Sequence, residues 1–136
     1  MNTLFADTVY WIALLNTRDE LHSTAKSVTQ KYLQNKIITT DAVLIEILNQ
    51  FSSYGEYWRN VAITAVQKIL NERSIEVIPQ TRELFLEGIS FYTTRLDKGY
   101  SLVDCISMVV MNDRKIDIAL TSDRYFQQEG FTILLR

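Results

Sequence analysis

Short apolar runs alternate along the chain with longer stretches in which apolar residues recur every three or four positions. The short runs predict buried strands, and the longer stretches predict helices with one apolar face. Strands separated by helices favour a parallel sheet that is covered by helices. We therefore predict an α/β fold, a three-layer α/β/α sandwich with a mainly parallel central sheet. The predicted strands are Leu4–Ala6, Ile37–Thr39, Ile75–Ile78, Ile118–Leu120 and Thr132–Leu135.

Residues that favour helix ends set the boundaries of the predicted helices. Asp19 is expected to cap the second helix, Thr40 or Asp41 to cap the third, and Gly55 to end the third. The predicted helices are Val9–Leu15, Glu20–Gln34, a third from its cap to Tyr54, Tyr57–Glu72, Thr81–Leu96 and Ser101–Arg114, and a short helical turn follows at Tyr125–Glu129.

The composition is that of one folded domain. The chain has 136 residues, of which 47% are hydrophobic, with only 4 Gly and 1 Pro. A chain of this length is close to the commonest size of a single domain and buries roughly two thirds of its unfolded surface. Disordered, collagen-like and low-complexity chains are excluded by the same numbers. We expect one domain over residues 1–136.

Cysteine, histidine and charge exclude several classes of protein. One cysteine, Cys105, and one histidine, His22, cannot form an intramolecular disulfide or a zinc cage. The net charge of −2 argues against broad electrostatic coating of nucleic acid. Charged residues interrupt every apolar run before the ~20 residues of a membrane span, and no basic residue precedes Arg18. We expect a soluble cytoplasmic protein that does not contact a membrane.

Four acidic residues fall where a parallel sheet places its ligand site, outside the carboxyl ends of the strands. Asp7 ends the first predicted strand, and Asp123 follows the strand Ile118–Leu120. Asp104 lies in the first turn of an apolar helix, and Glu46 lies in the helix after the second strand. Four carboxylates at one sheet edge repel each other unless a divalent cation neutralises them.

Each acid also has a simpler structural interpretation. Ser101 and Asp104 fit a capping box, in which the carboxylate accepts a backbone N–H, and capping and metal binding can coexist. Asp7 and Asp123 fit helix caps, and Glu46 lies at the edge of a polar stripe that can face water. These alternatives stay open from local sequence alone, and the conjunction of all four acids is what favours a site.

The candidate ligands are oxygens without an imidazole or thiolate cluster, so the expected cation is Mg²⁺ or Mn²⁺. Magnesium sites usually take one or two carboxylates plus water and substrate phosphates, which indicates phosphoryl chemistry on a nucleic acid or nucleotide. The positions of His22 and Cys105 do not support a nucleophile with a histidine base, and there is no glycine-rich phosphate loop. A phosphatase of the type that needs a second Asp two residues after the first is disfavoured, because Val9 occupies that position. A receiver domain is disfavoured because Asp7 has no acidic neighbour and the segment Thr121–Asp123 offers no Lys.

Four segments in order resemble the four motifs of the PIN-domain ribonucleases, and the likeness covers essentially the whole chain. The overall length and spacing are similar to those of the VapC-like toxins of type II toxin–antitoxin modules. The segments are Phe5-Ala6-Asp7-Thr8, Thr40 with Glu46 six residues later, Ser101-Leu102-Val103-Asp104-Cys105 and Thr121-Ser122-Asp123-Arg124-Tyr125-Phe126.

The resemblance implies a metal-dependent endoribonuclease that uses a metal-activated water and leaves a 5′-phosphate and a 3′-hydroxyl. It implies that Asp7 and Asp104 are the main ligands of the cation and that Glu46 and Asp123 position water or a second cation. All four acids are then both catalytic and metal-binding residues. Thr8, Ser101 and Thr121 are expected to orient these acids. The alternative is a PIN-fold module that binds RNA or protein without cutting it.

The resemblance also implies partners. Candidate RNA contacts are Arg95, Lys98 and Arg124 for phosphates and Tyr100 for base stacking; the alternative for each basic residue is an ordinary solvated surface charge. A cognate antitoxin protein is expected to close the site. A homodimer or antitoxin surface formed by a cluster of aromatic residues is a further expectation, because aromatic residues are enriched in interface cores; the alternative is that the cluster packs within the fold. The aromatic residues are Phe51, Tyr54, Tyr57 and Trp58.

Overall fold

The computed structural model describes residues 2–136, and its centre is a five-stranded sheet in which all strand pairs are parallel. The strands are β1 (Leu4–Ala6), β2 (Ile37–Thr40), β3 (Ile75–Ile78), β4 (Ile118–Leu120) and β5 (Thr132–Ile133). The helices are α1 (Thr8–Leu15), α2 (His22–Lys31), α3 (Asp41–Phe51), α4 (Glu56–Asn71), α5 (Arg82–Thr93), α6 (Leu102–Asp113) and α7 (Arg124–Gln128).

The strand order β3-β2-β1-β4-β5 determines how the helices are layered. The chain moves from β1 through β2 to β3 in one direction and then returns to the other side of β1 for β4. Because parallel crossovers are right-handed, this reversal assigns α1 to α4 to one face and α5 to α7 to the other. Packing agrees, since α1 contacts α2, α3 and α4, while α5 packs on α6. The predicted three-layer α/β/α architecture is confirmed.

The core follows from the apolar runs. All three residues of β1 have no exposed surface, as expected for the middle strand of a sheet covered on both faces. Helix α6 buries seven consecutive residues, Cys105 to Met111, which accounts for its nearly unbroken apolar sequence. No helix among residues 2–136 has the length and apolarity needed to cross a lipid bilayer.

Several predicted boundaries are wrong. Asp19 does not cap α2; its carboxylate accepts the N–H of Leu21 at 2.8 Å within a turn, so the helix begins only at His22. The helix also ends at Lys31 rather than Gln34. Gly55 does not end α3, which stops at Phe51; with φ of 92° it precedes the first residue of α4, a conformation that glycine adopts without strain.

Two further segments are shorter than predicted. Helix α5 ends at Thr93, and the turns that follow join it to α6. Strand β5 ends at Ile133, although Leu135 still donates its N–H to the Thr121 carbonyl at 3.1 Å. The predicted segment Thr132–Leu135 therefore stays hydrogen-bonded to the β4 segment along its length, but only Thr132–Ile133 has regular strand geometry.

The packing of α5 on α6 depends on a glycine. A Cβ atom at Gly88 would lie 2.6 Å from Cγ1 of the buried Ile106. Gly88→Ala gains up to ~1 kcal/mol of helix propensity, but overpacking a core typically costs about 1–3 kcal/mol. We expect a net loss of about 1–2 kcal/mol in the free energy of unfolding, measured by urea denaturation. Ser90→Ala, at an exposed position of the same helix, is the control, and a Gly88→Ala protein as stable as this control would contradict the packing argument.

Candidate active site

The strand order reverses at the junction of β1 and β4, which is where open parallel sheets bind their ligands. In the register of these strands Ala6 pairs with Leu120, so the next residues, Asp7 and Thr121, lie side by side. The Thr121 hydroxyl donates to Asp7 Oδ2 at 2.9 Å and accepts the N–H of Asp123 at 3.1 Å. One buried threonine therefore connects two of the predicted site acids.

Asp7 is the most buried of the acids, with 3% of its surface exposed. It occupies the position before the first residue of α1, but its side chain makes no capping hydrogen bond. Burial raises the pKa of Asp7 to about 7, and the nearby charges of Asp104 and Glu46 act in the same direction. A helix cap does not explain this residue.

Asp104 does form the capping box that the sequence suggested. Ser101 donates its N–H to Asp104 Oδ2 at 2.9 Å, and the Ser101 hydroxyl accepts the N–H of Asp104 at 3.1 Å. Burial raises the pKa of the Asp104 carboxyl, and the charges of Asp123 and Glu46 add to this effect. The carboxylate therefore caps α6 and also lies within electrostatic reach of the other acids.

Glu46 and Asp123 are also held by the protein. The hydroxyl of Thr8 donates to Glu46 Oε1, a short hydrogen bond between residues far apart in sequence. Asp123 Oδ1 accepts the N–H of Tyr125 at 2.9 Å and so caps α7. Glu46 is half-buried, which does not agree with a residue that simply faces water.

The structure thus gathers Asp7, Glu46, Asp104 and Asp123 at one sheet edge. A hydrogen bond engages one oxygen of each carboxylate, and Thr8, Ser101 and Thr121 supply three of the four donors. Within residues 2–136 no Lys, Arg or His side chain forms an ion pair with any of these acids. In the same part of the chain, no three acidic, Cys or His side chains converge closely enough to hold a metal ion together.

The basic and aromatic residues expected to contact RNA divide into two pairs. Lys98 and Arg124 are exposed, with Lys98 3.6 Å from the carboxylate of Asp97. Arg95 is instead ion-paired with Glu129 at 2.9 Å. Tyr100 is only 4% exposed and donates its hydroxyl to Glu129 at 2.9 Å. Its ring therefore has no exposed face for a base, and the stacking expected of Tyr100 does not agree with the structure.

Glu129 was not among the candidate residues. Its partners lie 29 and 34 positions away along the chain, and a lone acid at the end of a short helical turn carries no sequence signal for such contacts.

The aromatic cluster near Gly55 is partly core and partly surface. Phe51 is 2% exposed and stacks on Trp58, with ring centroids 5.4 Å apart. Tyr54 and Tyr57 are 54% and 72% exposed. The two tyrosines and part of the half-buried Trp58 are available to the expected interface, which stays a prediction.

Comparison with known proteins identifies similar chains. The family model described as the PIN domain matches residues 4–131. The 23S rRNA-specific endonuclease VapC20 of Mycobacterium tuberculosis is 27% identical over 128 residues, which cover 94% of this chain and 95% of VapC20. The crystal structure of that VapC20, described as a Sarcin-Ricin loop cleaving toxin, matches with a TM-score of 0.82 and 26% identity over 95% of this chain and 96% of that chain.

A more distant structure has the same fold. VapBC2 from Rickettsia felis, solved bound to a DNA fragment from its promoter, matches with a TM-score of 0.70 at 12% identity, covering 96% of both chains. The fold is therefore shared at a level of sequence identity too low to indicate it.

The burial of Asp7 predicts a pH-dependent stability. Burial raises the pKa of the Asp7 carboxyl from 3.8 in the unfolded chain to about 7 in the folded protein. The resulting stabilisation of the folded state is complete below about pH 4 and is lost as the pH rises through 7, because only the folded protein keeps the proton between these values. The difference corresponds to about 4 kcal/mol, of which about 2 kcal/mol is lost between pH 5.5 and pH 8. In EDTA, we expect Asp7→Asn to be more stable than the wild type, by a margin that grows by about 2 kcal/mol over that range.

Urea denaturation at both pH values measures this margin. Asp117→Asn, at an exposed aspartate, is the matched control and should show a margin close to zero at each pH. An Asp7→Asn variant that loses stability relative to the wild type as the pH rises would mean that the carboxylate is compensated in the folded protein.

Proposed function

Because this chain belongs to the PIN domain family, we propose that it is a metal-dependent endoribonuclease and the toxin of a toxin–antitoxin pair. The observation that carries the proposal is the set of four carboxylates, Asp7, Glu46, Asp104 and Asp123, gathered at the β1–β4 junction. Similarity to VapC20 over nearly the full length of both chains supports RNA as the substrate class.

The residues present fit a hard divalent cation. The donors are carboxylate oxygens, and one oxygen of each acid is already fixed by a protein hydrogen bond, which leaves the second for another partner. Magnesium is commonly held by one or two carboxylates together with water and substrate phosphates, so convergence of three acids is not required. Asp7 and Asp104, the two acids whose pKa burial raises, are the proposed ligands of Mg²⁺ or Mn²⁺.

The chemistry is hydrolysis of a phosphodiester. When bound, the cation lowers the pKa of water and offsets the negative charge that develops on the phosphate oxygens. The proposed roles of Glu46, which accepts from Thr8, and of Asp123, which caps α7, are to orient the attacking water and accept its proton. Attack at phosphorus breaks the bond to O3′, and the products are a 5′-phosphate and a 3′-hydroxyl.

Substrate and partner follow from the same similarity. Because VapC20 is named for 23S rRNA and for the Sarcin-Ricin loop, ribosomal RNA is the first substrate to test. The exposed Lys98 and Arg124 are the proposed phosphate contacts, since Arg95 is engaged by Glu129. The toxin role implies a cognate antitoxin that blocks the acidic site.

The decisive experiment incubates the purified chain with total cellular RNA and with ribosomes, in Mn²⁺ or in EDTA, and maps the ends produced. We expect discrete cuts with 5′-phosphates that disappear in EDTA. The variants Asp7→Asn and Asp104→Asn should each lower the cleavage rate at least 100-fold, because each removes a charged ligand. Asp113→Asn, at an exposed aspartate at the end of α6, is the control and should cut at the wild-type rate.

Each other outcome has a defined meaning. Cutting that persists in EDTA and in both site variants would overturn the metal-dependent mechanism. Binding of RNA without any cutting, in the presence of measured Mn²⁺ binding, would favour the alternative, a PIN-fold module that holds RNA or a partner protein. Cuts that carry a 3′-phosphate would exclude the proposed bond cleavage.

A further inference from the structure

Three side chains next to the acidic site form a hydrogen-bonded unit, here called the Glu129 brace and made of Arg95, Tyr100 and Glu129. Arg95 donates twice to the Glu129 carboxylate, at 3.1 and 2.9 Å, and Tyr100 donates its hydroxyl to the same group at 2.9 Å. The Arg95 guanidinium also lies over the Phe91 ring, 3.8 Å from its centroid. Glu129 is therefore a shared acceptor for two side chains from a different part of the chain.

The brace joins the two segments that carry Asp104 and Asp123. Tyr100 directly precedes Ser101, whose N–H and hydroxyl form the capping box with Asp104. Glu129 closes α7, its N–H donating to the Tyr125 carbonyl at 3.3 Å, and Asp123 caps the other end of that five-residue helix. The first turn of α6, which carries Asp104, and α7, which Asp123 caps, are thus connected by the hydrogen bonds of Glu129.

A second contact between the same segments is independent of the ion pair. The rings of Tyr100 and Tyr125 pack with centroids 5.1 Å apart. Gly99 lies so close to the Tyr125 hydroxyl that a Cβ atom there would overlap it. The chain before α6 is therefore fitted tightly against α7.

We propose that Glu129, through Tyr100 and Arg95, is a positioning residue that holds the capping turn of Asp104 in place relative to Asp123. The inference rests on the proposed function, because it assigns the brace to the metal-binding and cleavage site. Asp104 and Asp123 lie at the N-termini of α6 and α7, and the Tyr100 hydroxyl bond to Glu129 and the Tyr100–Tyr125 contact join the segments that carry them. Loss of the brace would therefore free the capping turn of Asp104 to move relative to Asp123. Glu129 does not touch the substrate or the cation in this account.

The test uses two variants that remove the brace with the smallest changes. Tyr100→Phe deletes one hydroxyl oxygen, and Glu129→Gln removes the charge while keeping the shape of the side chain. We expect each to weaken Mn²⁺ binding about tenfold, the low end of what loss of a supporting hydrogen bond costs at metal sites. Mn²⁺ affinity is measured by electron paramagnetic resonance of the free ion, without RNA.

Kinetics on an RNA that the wild type cleaves gives the second readout. At a fixed Mn²⁺ concentration near the wild-type dissociation constant, kcat should fall about five- to tenfold while KM for RNA changes less than about twofold. At saturating Mn²⁺ part of the loss in kcat should be restored. Because a partly unfolded protein would also lose kcat at unchanged KM and regain it with metal, kcat is expressed per folded molecule under the assay conditions.

The matched control is Glu76, a carboxylate that, like Glu129, accepts hydrogen bonds from two side chains. Glu76 accepts from Lys36 at 2.8 Å and from Arg114 at 2.7 and 3.2 Å, and Arg114 lies at the opposite end of α6 from Asp104. Glu76→Gln removes a comparable ion pair and should leave Mn²⁺ affinity and kcat within about twofold of the wild type. Thermal melting in EDTA establishes that each variant is folded, and Tyr100→Phe decides the question if Glu129→Gln does not fold.

The outcomes separate the two proposals. If the wild type neither binds Mn²⁺ nor cuts RNA, the proposed function fails. If the wild type does both, and Tyr100→Phe and folded Glu129→Gln behave like Glu76→Gln, the positioning role of Glu129 is overturned. Weaker Mn²⁺ binding in Tyr100→Phe, with Glu76→Gln unchanged, supports the positioning role.

Discussion

Burial of one negative charge, the carboxylate of Asp7, is the constraint to which the rest of the site responds. The strand order places Asp7 at the junction of β1 and β4, where the sheet and the helices on both faces exclude water. An isolated carboxylate in such a position costs several kcal/mol unless it takes up a proton or meets a cation. Thr121 satisfies one oxygen, but no Lys or Arg side chain within residues 2–136 forms an ion pair with Asp7. Burial raises the pKa of Asp7 to about 7, so near neutral pH the fold leaves this carboxylate to be neutralised by a proton or by a cation.

The other acids combine a local structural role with this site. Asp104 caps α6 and Asp123 caps α7, yet each cap uses only one carboxylate oxygen. A capping interaction of this kind fixes the side-chain rotamer and contributes about 1 kcal/mol, which helps to offset repulsion between neighbouring acids. The structural and functional interpretations of these residues are therefore compatible, because the same hydrogen bond that stabilises the helix also orients the second oxygen.

The sequence predicted the parts of the site that depend on topology and missed those that depend on distant side chains. The carboxyl ends of parallel strands meet at one edge, so the positions of Asp7 and Asp123 after their strands were enough to bring them together. The hydrogen bond between Thr8 and Glu46 spans 38 positions, and the ion pair between Arg95 and Glu129 spans 34. Such contacts depend on how helices pack on the sheet, which local patterns do not encode. Tyr100 was misjudged for this reason: nothing nearby in sequence indicates that Glu129 and Tyr125 bury it.

The N-termini of two helices partly stabilise the negative charge at this edge of the sheet. Asp7 precedes the first residue of α1, and Asp104 lies in the first turn of α6, where the helix dipole favours negative charge by roughly 0.3–1 kcal/mol each. That contribution is smaller than the cost of burying Asp7, so the dipoles moderate the repulsion without removing it. In the proposed function, an RNA phosphate that approaches four carboxylates would meet the same repulsion. A divalent cation at this edge would therefore be needed for the substrate to approach as well as for the bond to break, which makes substrate binding and catalysis depend on one ion.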